Sequence, residues 1–147
     1  MKAREWHERG RNAPDPIEGF SNSWRAFNNL FFRVIAANER DKIMTFLRDR
    51  ISQLKATELI GAHDPEVKYL LSQPVIDMRG NGRDTKSNIE AFHAATDSLV
   101  KLQQLFMVIY QVRCNLEHGQ KSPTRERDVQ LCRSALPILT AVVGLCI

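Results

Sequence analysis

The stretch SNIEAFHAATDSLVKLQQLFMVIYQVRCNLEHG, residues 87–119, decides the fold. Ser87 with Glu90 reads as a capping box, and Gly119 as a helix stop in the left-handed conformation. Between them lies the longest uninterrupted helical pattern of the chain. At about 100° per residue, Leu99, Leu102, Phe106, Ile109 and Leu116 crowd one face, and Arg113 falls at its centre.

The flanking segments repeat the period. Asp15-Pro16 predicts a helix start, with Asp as cap and proline in the first turn, followed by Ile17, Phe20, Trp24, Phe27, Phe31 and Val34 at three- and four-residue steps. A second amphipathic stripe runs through Ile43, Phe46, Leu47, Ile51 and Leu54. Asp64-Pro65 opens a short helix that Pro74 ends, and Asp77 to Lys86 reads as a polar, flexible loop. Ser122-Pro123 starts a last helix bearing Val129, Cys132, Leu136, Leu139, Val143 and Cys146, with a kink expected at Pro137. No segment alternates apolar and polar residues over a strand's length. The expectation is therefore an all-α bundle of four to five helices in one domain, residues 1–147, with residues 1–14 a flexible or loosely packed arm.

Composition agrees. The 147 residues are 43% hydrophobic and 26% charged, enough apolar material for a core, and 7 Gly with 6 Pro argue against a disordered chain. Three cysteines without a CxxC pair indicate neither a disulfide framework nor a structural zinc site, and fit a reducing cytoplasm. His7, His63 and His93 have no second histidine at ligand spacing, so no metal or other cofactor is expected. The apolar run Ala135 to Ile147 is too short to span a bilayer and reads as a buried helix.

A cation that cannot lose its proton is expensive at the centre of an apolar stripe unless an anion meets it. Glu117, four residues on, is one candidate partner; a second possibility is that the stem of Arg113 covers core while its head reaches water. Five residues after the arginine stands His118, at a helix C-terminus whose partial negative charge favours imidazolium. Alone it reads rather as a plain helix-terminal histidine.

Arg-x4-His before a glycine at the end of a long helix, within Tyr110-Gln-Val-Arg-Cys-Asn-Leu-Glu-His-Gly-Gln-Lys121, resembles the signature of the HEPN superfamily (higher eukaryotes and prokaryotes nucleotide-binding). The segment Trp24 to Phe31, followed by Asp41, is similar to the first two helices of some members. The resemblance implies a HEPN-like bundle that dimerises and, in many members, a metal-independent endoribonuclease. Arg113 and His118 would then be the principal catalytic residues and Asn115 the polar residue that places them or the phosphate. One position departs: Cys114 follows the arginine, where active members often carry a polar residue.

Those residue types suit cleavage by 2′-hydroxyl attack, in which histidine moves protons and guanidinium binds two phosphate oxygens. One motif supplies one histidine; a two-fold homodimer presents two. The family also implies a toxin setting, with a partner antitoxin of nucleotidyltransferase type. Lys121, Arg125 and Arg127 are further candidates for RNA contact. The formal charge of +4 is concentrated: residues 113–133, 79–86 and 1–11 each carry +2, a footprint for RNA if they converge. The competing expectation is a non-catalytic module that binds nucleotide, RNA or protein, with Arg113 merely paired to Glu117.

Overall fold

A computed structural model of the chain describes residues 2–117 and 126–147. Among them the fold is all-α, with helices α1 (Lys2–Arg11), α2 (Pro16–Phe31), α3 (Glu39–Arg50), α4 (Gln53–Ala62), α5 (Asp64–Leu71), α6 (Lys86–Ala94), α7 (Ser98–Glu117) and α8 (Glu126–Cys146). His118, Gly119, Lys121, Ser122, Pro123 and Arg125 lie outside the described residues.

Local chemistry sets the boundaries. Asp15 caps α2, its Oδ1 accepting from the Glu18 N–H at 2.8 Å, with Pro16 at the first helical position as expected. Asn38 caps α3 in the same way through the Asp41 N–H at 2.9 Å. The stripe expected to continue to Leu54 stops earlier. Ile51 turns extended, Ser52 caps a new helix through the Lys55 N–H at 3.1 Å, and Leu54 faces outward at 67% exposure.

The long pattern of residues 87–119 is likewise two helices. Ala95 is extended, and Asp97 then caps α7, its Oδ1 accepting from the Leu99 and Val100 N–H groups and from Gln53 Nε2 at 2.6 Å. Nor does a capping box at Ser87 start α6. The helix begins one residue earlier, after Thr85, whose hydroxyl accepts from the Val75 N–H instead. Those two extra breaks, with the N-terminal helix, turn the expected four or five helices into eight among the described residues.

Helix α7 packs against α3, α4, α5 and α6; α8 packs against α1, α2 and α5. An aromatic cluster joins the two halves. Phe27 of α2 lies 5.3 Å from Phe106 of α7 and 5.7 Å from Phe46 of α3 between ring centres, and Trp24 lies 6.0 Å from Tyr110. By length and composition α8 could cross a membrane, yet Leu131, Ile138, Leu139, Val142 and Val143 are buried in this core. Pro137 lies inside it, and the helix continues to Cys146.

The segment expected as an arm is α1, docked on α2. It escaped the apolar pattern because what it buries is Ala3, His7 and Gly10. Gly10 lets the two backbones meet: a Cβ there would press into Ser23 Oγ and come 3.0 Å from the Gly19 carbonyl oxygen. Gly10→Ala is expected to cost about 1–3 kcal/mol despite alanine's better helix propensity, read as a lower melting temperature.

His7 makes the same junction sensitive to acid. Its ring packs beside Gly144 of α8, and the buried Nδ1 has no hydrogen-bond partner among the described residues. Burial, then the positive charges of Arg11 and Arg4, lower its pKa, with Glu8 opposing. The unfolded chain therefore takes up a proton below about pH 6.5 that the folded chain resists, so stability falls as pH drops through that value. Melting temperature is expected to decline from pH 7.5 to 5.5, and His7→Gln to flatten that decline.

Candidate active site

Arg113 stands in the last turns of α7, at the wall of a cleft of about 310 Å³ also lined by Phe20, Trp24, Arg25, Leu116 and Glu117. Its Nη1 donates to Glu117 Oε2 at 2.6 Å and to Glu39 Oε1 at 3.2 Å. The guanidinium carbon lies 5.8 Å from the centre of the Trp24 ring. The side chain is 23% exposed, so the charge is neither in the core nor free in water.

The i,i+4 pair with Glu117 that the spacing offered is made. The second carboxylate came from elsewhere: Glu39 is in the first turn of α3, brought to α7 by the packing of those helices. No short-range pattern could have shown it. Trp24, as expected for a stripe aromatic, is core at 3% exposure, and its indole N–H is buried without an acceptor among the described residues.

Asn115 is not in this cleft. Two residues after Arg113 on a helix it points the opposite way, toward the loop that follows α5. Its Nδ2 donates to the Ile76 carbonyl at 2.9 Å, while its Oδ1 accepts from the Met78 N–H at 3.2 Å and from Gln111 Nε2 at 3.1 Å. Asn115, expected to help place the catalytic residues or the phosphate, here ties a loop to α7.

That loop is folded about the buried Asp77, which accepts from Arg79 Nε and Nη2, the Arg79 N–H and Asn81 Nδ2. Hydrogen bonding to Arg79 holds the Asp77 carboxyl far below the usual carboxylate range. Gly80 and Gly82, with φ of 76° and 78°, supply the left-handed turns. The segment expected to be a flexible connection therefore has a defined shape.

Arg127, in the first turn of α8, lines a different cleft of about 390 Å³ with Pro74, Val75, Met78 and Leu131. It donates to the Gln73 carbonyl at 3.3 Å and lies 5.7 Å from the centre of the Tyr69 ring. Arg113 and Arg127 share no lining residue, so these two candidates do not converge on one cleft of a single protomer. The residue that does join Arg113 is Arg25.

Beside them, Cys114 is buried against Tyr110, and burial followed by the neighbouring thiol raises the tyrosine pKa. Neither group therefore offers an ionised oxygen or an exposed sulfur to the cleft. No cluster of three His, Cys, Asp or Glu residues at metal-binding distance occurs among the described residues.

Fold and site together define an all-α arrangement among the described residues in which one cleft carries two arginines, one of them clamped by two carboxylates. No family model matches the chain, and neither a curated protein nor a solved structure matches it.

Proposed function

We propose that the chain is a metal-independent endoribonuclease of HEPN type that acts as a homodimer. The observation that carries this reading is the placement of Arg113: a guanidinium held by two carboxylates at the wall of an open cleft, five residues before His118 in sequence. An oriented guanidinium is suited to two oxygens of a phosphodiester. The 2′-hydroxyl attacks the adjacent phosphorus and the bond to the 5′-oxygen breaks, leaving a 2′,3′-cyclic phosphate and a 5′-hydroxyl. One histidine takes the proton of the attacking hydroxyl and a second, from the two-fold related copy, protonates the leaving oxygen.

In this reading the protein works in the cytoplasm as the toxin of a pair, restrained by an antitoxin of nucleotidyltransferase type. The test is incubation of RNA in excess chelator with the wild type, Arg113→Ala and His118→Ala. Cleavage that survives both substitutions overturns the assignment.

The pairing of Arg113 favours a second reading. Glu39 and Glu117 already pair with the cation, so a structural role accounts for Arg113 without catalysis, as in a non-catalytic nucleotide-, RNA- or protein-binding module. That module binds without cleaving, and its Arg113 variants lose stability only.

A further inference from the structure

The cations of the cleft, and Arg9 on the Trp6 ring that Arg25 also meets, differ in how they are balanced. Arg113 is matched by two carboxylates, whereas neither Arg25 nor Arg9 has a carboxylate within salt-bridge distance among the described residues. Both instead gather on one aromatic ring. The guanidinium carbon of Arg25, on α2, lies 4.8 Å from the centre of Trp6 on α1, and that of Arg9 lies 5.3 Å from it.

Cation–π attraction holds each group, and two guanidinium groups on one ring make a local positive patch whose self-repulsion an anion relieves. Arg25 is further oriented by donating to Asn22 Oδ1 at 3.2 Å, and it lines the same cleft as Arg113. Lys2, Trp6 and Arg9 fall at four- and three-residue steps on one flank of α1, with Lys2 and Arg9 exposed. Glu5 stands one turn before Arg9 and about 40° from it round the helix, and Glu8 is its neighbour in sequence, yet neither carboxylate comes within salt-bridge distance of Arg9 or Arg25 among the described residues.

We propose that Arg9 and Arg25, held on the Trp6 ring, form a phosphate-anchoring subsite for the RNA strand as it leaves the Arg113 cleft across α1. The inference rests on the reading of that cleft as an RNA site and adds what grips the strand. Arg113, balanced by its two carboxylates, meets the reacting phosphate; Arg9 and Arg25, in no ion pair among the described residues, add attraction for the backbone beyond it. Guanidinium groups fixed on an aromatic face lose little freedom when a phosphate arrives, which favours binding over a loose surface lysine.

The test is the affinity of a short single-stranded RNA, 2′-O-methylated so that it cannot be cut, measured by fluorescence anisotropy at several salt concentrations. Arg9→Gln with Arg25→Gln is expected to weaken binding about 10-fold and to make the log–log salt slope shallower by about 0.7 per arginine removed. The paired lysine substitutions keep the slope and lose part of the affinity, and Arg48→Gln, at an exposed position of α3, changes neither. Melting curves on the same samples show whether α1 has stayed docked, and the lysine pair preserves the test if the glutamine pair has not.

Unchanged affinity and slope in a folded glutamine pair overturn the subsite while leaving the nuclease reading in place. A wild type that binds no RNA overturns that reading as well. A changed oligomeric state at unchanged RNA affinity assigns the arginines to an acidic protein surface and also overturns the subsite.

Discussion

Replacing Arg113 with lysine is expected to lower RNA cleavage by about 10²-fold or more while leaving the fold intact. The charge is kept and the fork is lost. A guanidinium can serve Glu39, Glu117 and a phosphate through different N–H groups in one plane, and its Nη1 alone already meets both carboxylates. An ammonium on a flexible stem satisfies the carboxylates as a point charge and no longer presents a planar face to two phosphate oxygens. Arg113→Ala removes cleavage too, but it leaves Glu39 and Glu117 without their shared cation. The carboxylates are partly exposed, so water and salt screen them and the loss of stability is of the order of 1 kcal/mol. Single-turnover cleavage in chelator and thermal melting, read on both variants, separate the two functional readings. Lost cleavage with unchanged melting in the lysine variant is the enzyme's signature; a melting shift with no cleavage to lose belongs to the module.

The parts of this site that local rules govern were legible in the sequence. A pair four residues apart on one helix, Arg113 with Glu117, follows from helical geometry, as does the Asp15 cap of α2. Glu39 was not, because it stands 74 residues from Arg113 and reaches it only through the packing of α3 on α7. Arg25 and Arg9 were hidden differently. What gathers them is the ring of Trp6, in a helix whose buried face is Ala3, His7 and Gly10, and hydrophobic periodicity is silent about such a face.

Fold class was similarly legible and helix count was not. Apolar spacing runs unbroken through residues 95–97, with no glycine or proline to mark the break between α6 and α7. The signal was the cluster Thr96-Asp97-Ser98, whose side chains compete for backbone N–H groups and favour helix starts. There Asp97 caps α7, and Gln53 locks the cap from α4 by donating to Asp97 Oδ1 and accepting from the Leu99 N–H. A tertiary hydrogen bond thus sides with one of two locally acceptable conformations.

Asn115→Ala is expected to cost about 2–4 kcal/mol, because it strips partners from three groups at once. The Ile76 carbonyl, the Met78 N–H and Gln111 Nε2 all meet this one buried amide, and Gln111 is itself buried on α7. Alanine also leaves a void between α7 and the loop. Asn115→Asp separates charge from shape: its carboxylate can still accept from Met78 and Gln111, but it has no donor for the Ile76 carbonyl and places a negative charge beside that oxygen. It is expected to be at least as destabilising near neutral pH, and to recover part of the loss as acid protonates it. A residue that oriented substrate would behave otherwise, losing turnover at full stability. Here the denaturation midpoint moves first, and cleavage below that midpoint stays close to the wild type, because Asn115 and Arg113 lie on opposite sides of α7. Amide exchange at Met78 should speed up in the alanine variant, since its N–H loses its acceptor, while the Leu99 and Val100 N–H groups held by Asp97 remain protected. A large fall in cleavage with unchanged stability would instead put Asn115 back in the chemistry.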